Sequence, residues 1–304
     1  MTVDPITSDI ATSAADDDSD FSDLNVLDPP PPSAPIKQKF EWSKIVGPLI
    51  ILVLFLAFWH YMHNWGMRAI FDKPGFLVPA PETVVDRAFL DSNVRGQLIT
   101  GVKWTALVAG VGLVITIVIG MSLAVLMAEI AWAERAMYPY LVALQAIPIL
   151  AIVPLIYSAF GGGMNARLFV CIMIAIFPIV TNTLFGLMSA EIGQHELFTL
   201  RHASRTTRLF KLQFPAALPA IFTGFRISAG LVVIGAVVGE QFFRQGGRPG
   251  IGIIMEQFRQ KSRYPELYGG LMMAAFLGIS VFFFFGWLQK KAIGKWYVPV
   301  RKGA

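Results

Sequence analysis

The chain has 304 residues, 55% hydrophobic and 15% charged, with a formal net charge of +5; its mean hydropathy is +0.60. Ordinary soluble domains carry about 25% charged residues, so this balance excludes a soluble enzyme, a disordered regulator and a nucleic-acid binder, and points to a polytopic membrane protein. A single cysteine, Cys171, excludes a disulfide framework or a cysteine-based metal site, and four histidines offer little for metal chemistry.

The charge is unevenly placed. Residues 1–36 hold eight Asp and no Lys, Arg or Glu, leaving a net of +13 on the remainder. This stretch ends in the proline run Pro29–Pro32. With few apolar groups to offset the entropy of ordering, residues 1–40 are expected to be a disordered acidic tail. It lacks the basic start and apolar stretch of a secretory signal. Composition assigns the tail no specific role, and a regulatory one stays open.

Six apolar runs follow, at about 45–67, 104–128, 136–158, 168–190, 214–238 and 267–289, within a membrane domain over 41–296 and before a short tail at 297–304. Each approaches the 20 or so residues that cross a bilayer core of about 30 Å. Trp59, Tyr61 and Trp65 at the end of the first run, and Trp287, Trp296 and Tyr297 around the end of the sixth, suit either the headgroup layer or packing between helices. An even number of crossings puts both ends on one side. Basic residues before the first run and after the sixth favour the cytoplasmic side by a thin margin.

The second run places Gly112, Thr116, Gly120, Ala124 and Ala128 four residues apart, on one helix face. Such a row lets another helix approach closely, either within the subunit or at a subunit interface. Pro148 and Pro154 interrupt the third run, Pro178 the fourth, and Pro215 and Pro219 open the fifth. Kinks in consecutive spans fit a transport pathway or a bent structural bundle. Arg226 lies well inside the fifth run. An intramembrane charge is costly and is a functional candidate by default; Arg226 either faces a pathway or reaches an interface or helix-end carbonyls. Glu240 closes the same run, as a helix-end residue first and a pathway candidate second. Between the fourth and fifth runs, residues 196–211 show helical spacing in Leu197, Leu200, Ser204, Arg208 and Lys211. They predict a short amphipathic helix outside the bilayer, joined to the fifth span by a Pro215–Pro219 hinge. Such a helix transmits force from a soluble partner or rests on lipid.

The segment Ala203-Ser204-Arg205 … Phe214-Pro-Ala-Ala-Leu-Pro219-Ala-Ile-Phe-Thr-Gly224-Phe-Arg226 resembles the signature of ABC importer permease subunits, in particular the nitrate, sulfonate and taurine branch. Gln145-Ala-Ile-Pro148, Phe177-Pro178 … Asn182 and Gly250-Ile-Gly252 after Glu240 agree in order and spacing. The resemblance implies an all-α, six-span permease of the type I importer fold, in the inner (cytoplasmic) membrane of a prokaryote with both termini inside. It implies a homodimer or a sister-permease pair, cytoplasmic ABC ATPase subunits that bind ATP and Mg, and an extracytoplasmic substrate-binding protein. It marks Glu196, His202, Ala203, Ser204 and Arg205 as ATPase-docking residues, Pro215, Pro219 and Gly224 as hinge positions, and Arg226, Glu240, Pro148 and Asn182 as pathway candidates. The family's loop begins Glu-Ala-Ala, with Gly six residues after the Glu; here Glu196-Leu197-Phe198 and His202 stand there.

No Gly-x-x-x-x-Gly-Lys-Ser/Thr stretch occurs, so this chain has no phosphate-cradling loop of that kind, and no catalytic triad motif or paired intramembrane carboxylates mark it as an enzyme. No cofactor, metal or nucleic acid is expected on this chain. The resemblance implies translocation of a small nutrient, an anion such as nitrate, sulfonate or taurine, with a small heterocyclic nutrient also open. The alternative, a self-contained secondary transporter or channel, calls for inverted repeats or intramembrane charge pairs, neither of which the sequence shows.

Overall fold

The computed structural model describes residues 43–294. The acidic tail expected over 1–40 and the short tail over 297–304 lie outside the described residues, as do Trp296 and Tyr297. The described residues form no strand. In chain order the helices are α1 (Ser43–Tyr61), α2 (Met67–Phe71), α3 (Pro81–Val84), α4 (Ser92–Glu129), α5 (Ala131–Ala146), α6 (Ile149–Phe160), α7 (Met164–Leu187), α8 (Ile192–Leu200), α9 (Arg205–Arg208), α10 (Phe214–Phe242), α11 (Ile251–Gln260) and α12 (Tyr264–Ile293). Wider π-type turns at 62–66, 85–90 and 209–213 join neighbouring helices.

Among the described residues, five helical runs are long and apolar enough to cross a membrane: Val46–Phe71, Ser92–Glu129, Met164–Leu187, Arg205–Phe242 and Tyr264–Ile293. The third expected span is not one helix. It is the pair α5 and α6, bent by 103°. The break falls at Ile147 (ψ 121°) and Pro148 (ψ 110°), both extended, because a proline disfavours helical geometry in the residue before it.

Of the described residues, 43–55 fall in one compact unit and 56–294 in another. Within the first, residues 46–55 are apolar with no buried member, as suits a helix whose solvent is lipid.

In the second unit, α4, α7 and α10 share a core of Val108, Leu113, Cys171, Ala175, Ile179, Ala229, Val232 and Ala236. The small-residue row of α4 packs inside the subunit. A Cβ on Gly112 would lie 2.8 Å from Cys171 Cβ, and one on Gly120 would lie 2.7 Å from Ile179 Cγ2. Hydrogen there lets two backbones approach with no apolar drive between them. Between the alternatives left by the sequence, this face is internal packing against α7.

These contacts also fix direction. Gly112 meets Cys171 and Gly120 meets Ile179, so α4 and α7 run parallel. The intervening α5 and α6 therefore carry the chain back from the end of α4 to the level of its start, making the bent pair one crossing. Gly186 faces Ala217, and Gly235 faces Cys171, so α10 runs antiparallel to α7. Gly278 lies by Val233 and Gly286 by Arg226, so α12 returns antiparallel to α10.

Candidate functional site

The end of α7 leads into α8 at one pole of the bundle. None of the residues of α8 is buried, and it presents Ile192 (78% exposed), Leu197 (52%) and Leu200 (77%) outward. The amphipathic helix expected over 196–211 is instead interrupted at Arg201–Ala203. His202 adopts φ +49°, while the His202 N–H donates to Thr199 O (2.9 Å) and the Ala203 N–H to Phe198 O (3.0 Å). These bonds close α8 in a left-handed C-terminal turn. Ser204 then opens the next helix: its Oγ accepts the Thr207 N–H at 3.2 Å, satisfying a free donor of the first turn. Arg208 ties the two limbs together, Nη2 donating to Thr199 Oγ1 at 3.0 Å. Glu196 on α8 is exposed, as are His202, Ser204 and Arg205 at the turn that follows, where Ala203 is half-buried.

The helix does not break at Pro215–Pro219. Arg205–Phe242 is one continuous helical run. Pro215 follows closely on the π turn at 209–213, whose wider register takes the Phe214 N–H to Leu209 O and accommodates the proline's missing N–H within the run. Pro219 lies inside α10, its carbonyl accepting from Thr223 Oγ1 at 2.8 Å. The abrupt change of direction lies upstream, at His202. Gly224 is a site of close contact: its Cβ would lie 3.0 Å from Pro178 O and 3.0 Å from Asn182 Cβ.

At the opposite pole, Glu240 is 0% exposed. Thr105 Oγ1 on α4 lies 2.9 and 2.8 Å from its two carboxylate oxygens, and the Gly252 N–H donates to Oε2 at 2.9 Å. Thr105 Oγ1 in turn accepts the Ile251 N–H at 2.8 Å. A carboxylate thus caps the first turn of α11, where backbone donors are free. Gly250 and Gly252 are required by this approach, since a Cβ on Gly250 would overlap the carboxylate and one on Gly252 would overlap Val237 O. Nearby, Arg167 Nε donates to Phe243 O (2.7 Å) and Nη2 to Gly246 O (3.3 Å).

The remaining pathway candidates are dispersed. Glu240 is enclosed by its own chain and lines no open surface. Asn182 is half-buried and donates to Pro178 O at 2.8 Å, supporting the α7 backbone above its proline. Pro148 is exposed at the α5–α6 break. Arg226 is half-buried on α10, its guanidinium 3.8 Å from the Phe282 ring centroid. A groove of about 890 Å³ between α10 and α12 is lined by apolar residues such as Ile227, Gly230, Ile234, Ala275, Gly278 and Phe282, with no group to orient a polar solute. Among the described residues no three His, Cys, Asp or Glu side chains gather as a metal site.

The pattern of the family described as "Binding-protein-dependent transport system inner membrane component" matches residues 90–293, from the turn before α4 to the end of α12. The chain belongs to that family. The permease is 32% identical over 227 residues to the formylaminopyrimidine transport permease protein of Halalkalibacterium halodurans, covering 75% of this chain and 89% of the relative. It is 31% identical over 253 residues to the riboflavin transport system permease protein of Chloroflexus aurantiacus, covering 83% and 91%. In fold it matches the crystal structure of an amino acid ABC transporter with histidines, at TM-score 0.51 and 18% identity, covering 67% of the permease and 95% of that chain. It is an ABC importer permease subunit, a transport component and not itself an enzyme.

Two features of the site went unread in the sequence. Ser204-Arg-Thr-Thr207 is a helix-start signal inside what looks like one helix. Thr105, one more apolar-span threonine, is paired with Glu240 across 135 positions, and no local pattern reveals that.

Proposed function

We propose that the turn formed by α8, His202 and Ser204 docks on a cytoplasmic ABC ATPase that binds ATP and Mg²⁺, and that the permease lies in a prokaryotic cytoplasmic membrane with both termini inside. One observation carries this: α8 is an ordered helix with no buried residue and three outward apolar side chains. It lies at the segment where the resemblance puts the docking loop. Movement of that turn passes directly into the Arg205–Phe242 run and switches access to the pathway. The pathway runs between two permease copies, and an extracytoplasmic binding protein delivers the solute.

The substrate is a small nutrient. The sequence favoured an anion such as nitrate, sulfonate or taurine, with Arg226 as its one intramembrane cation. Two relatives above 30% identity are named for formylaminopyrimidine and riboflavin, and they favour a flat nitrogen heterocycle. The test is reconstitution of the permease with its ATPase and binding protein in liposomes. Uptake driven by ATP and stopped by vanadate supports the reading; uptake by the permease alone, without ATP, refutes it. Thermal shift of the binding protein with pyrimidines, flavins, sulfonates and nitrate then decides the class.

A further inference from the structure

The two poles just described are joined by one helix. From Arg205 at the docking turn to Glu240 the chain stays helical, a distance of about 50 Å at 1.5 Å per residue. The run stays helical through its π turn and both prolines, so a shift at the docking turn is passed along it to Glu240. Beyond Glu240 the covalent path softens. Residues 243–250 form a loop whose Gly246 (φ +71°) and Gly247 (φ +84°) carry no side chain to brace them. By backbone alone α11 would follow α10 loosely. The bonds from Glu240 and Thr105 to the Gly252 and Ile251 N–H groups bypass that loop. All three of Thr105, Glu240 and Ile251 are 0% exposed, so water does not compete for these bonds, and a buried network of this kind is rigid when fully satisfied.

We propose that Thr105 and Glu240 are positioning residues forming the fixed joint by which α10 drives α11, so that ATPase action at the docking turn displaces this short helix at the opposite pole. This rests on the docking reading above. Arg167 gives the joint its anchor: by holding Phe243 O and Gly246 O it fastens the loop to α7, and the Gln245 N–H adds a bond to Gly162 O at 2.8 Å. Thr105 extends the joint to α4. The outer ends of α4, α7 and α10 thus move as one body with the start of α11. The Glu240 … Gly250-x-Gly252 spacing then has a mechanical purpose. The carboxylate must reach the backbone of α11, and only glycine leaves the space.

The test uses the purified complex of permease and ATPase, with bimane on Gln257→Cys, an exposed position of α11; the native Cys171 is buried. Addition of ATP and vanadate is expected to shift bimane emission in this background and in Thr105→Ser, which keeps the hydroxyl. In Thr105→Val the responding fraction should fall about tenfold, within the usual range of coupling between sites, with the ATPase still bound at the same ratio. A full response in Thr105→Val overturns the proposal. So does an equal loss in Thr105→Ser, or release of the ATPase from Thr105→Val, either of which makes the pair merely structural. If the complex without any Thr105 substitution retains no ATPase, the docking reading itself has failed, and the joint falls with it.

Discussion

Arg226 on α10 holds its guanidinium 3.8 Å from the centre of the Phe282 ring on α12, and among the described residues its Nε has no hydrogen-bond partner. An aromatic face is thus the main counterpart of the one arginine placed well inside a span. A cation over a desolvated ring is worth about 2 kcal/mol. We expect Phe282→Leu to destabilise the permease by about 1–2 kcal/mol and Phe282→Tyr to be nearly neutral, read as thermal unfolding of the purified complex.

His202 occupies the left-handed position that ends α8, with φ +49°. A side chain there costs about 1 kcal/mol relative to glycine. His202→Gly should raise stability by about that amount and keep the ATPase bound. His202→Val, β-branched at positive φ, should lower stability and reduce the ATPase recovered per permease on affinity purification.

Gly224 sits where α7 and α10 come closest around Pro178, with 3.0 Å from its would-be Cβ to the Pro178 carbonyl oxygen. A backbone atom cannot move aside as a side-chain tip can. Gly224→Val should therefore cost about 1–3 kcal/mol by overpacking, seen as a lower thermal midpoint and a lower yield of intact complex. A hinge role would instead leave stability intact and alter transport alone.

The crossings were legible because lipid imposes one simple demand, a long apolar run, which is uncharged in α4, α7 and α12 and interrupted only by Arg226 in α10. The break at Pro148 was legible as a proline but not as a 103° bend, since the angle depends on packing beyond the two residues in extended geometry. The segment of α8 and α9 was legible by its helical spacing. Its division at His202 escaped, because a histidine at positive φ has no local sequence signature. Glu240 was read as a helix-end residue, and its partners Thr105 and Gly252 come from two other helices, which only the fold brings together.

Outside the spans, Glu256 on α11 accepts from Arg259 Nε (2.7 Å) and Nη2 (2.6 Å), from Gln260 Nε2 (3.0 Å), and pairs with Arg244 at 3.2 Å. These bonds, those of Arg259 foremost, hold its carboxyl down at about 2, against about 4.3 for a free glutamate. A lowered folded-state value means stabilisation that is complete above about pH 4.3 and is lost as pH falls toward 2. Thermal midpoints measured across that window should drop in the unmodified permease. Glu256→Gln should start lower at neutral pH and show a flatter decline.

Ile192 and Leu200 lie on α8, 78% and 77% exposed, and neither supports the permease core. The most direct measurement is the amount of ATPase that co-purifies, in mild detergent, with Ile192→Asp/Leu200→Asp permease. The expected result is a stably folded, monodisperse permease that has lost its ATPase and all ATP-driven uptake. Retention of a stoichiometric ATPase with normal uptake would contradict docking through α8.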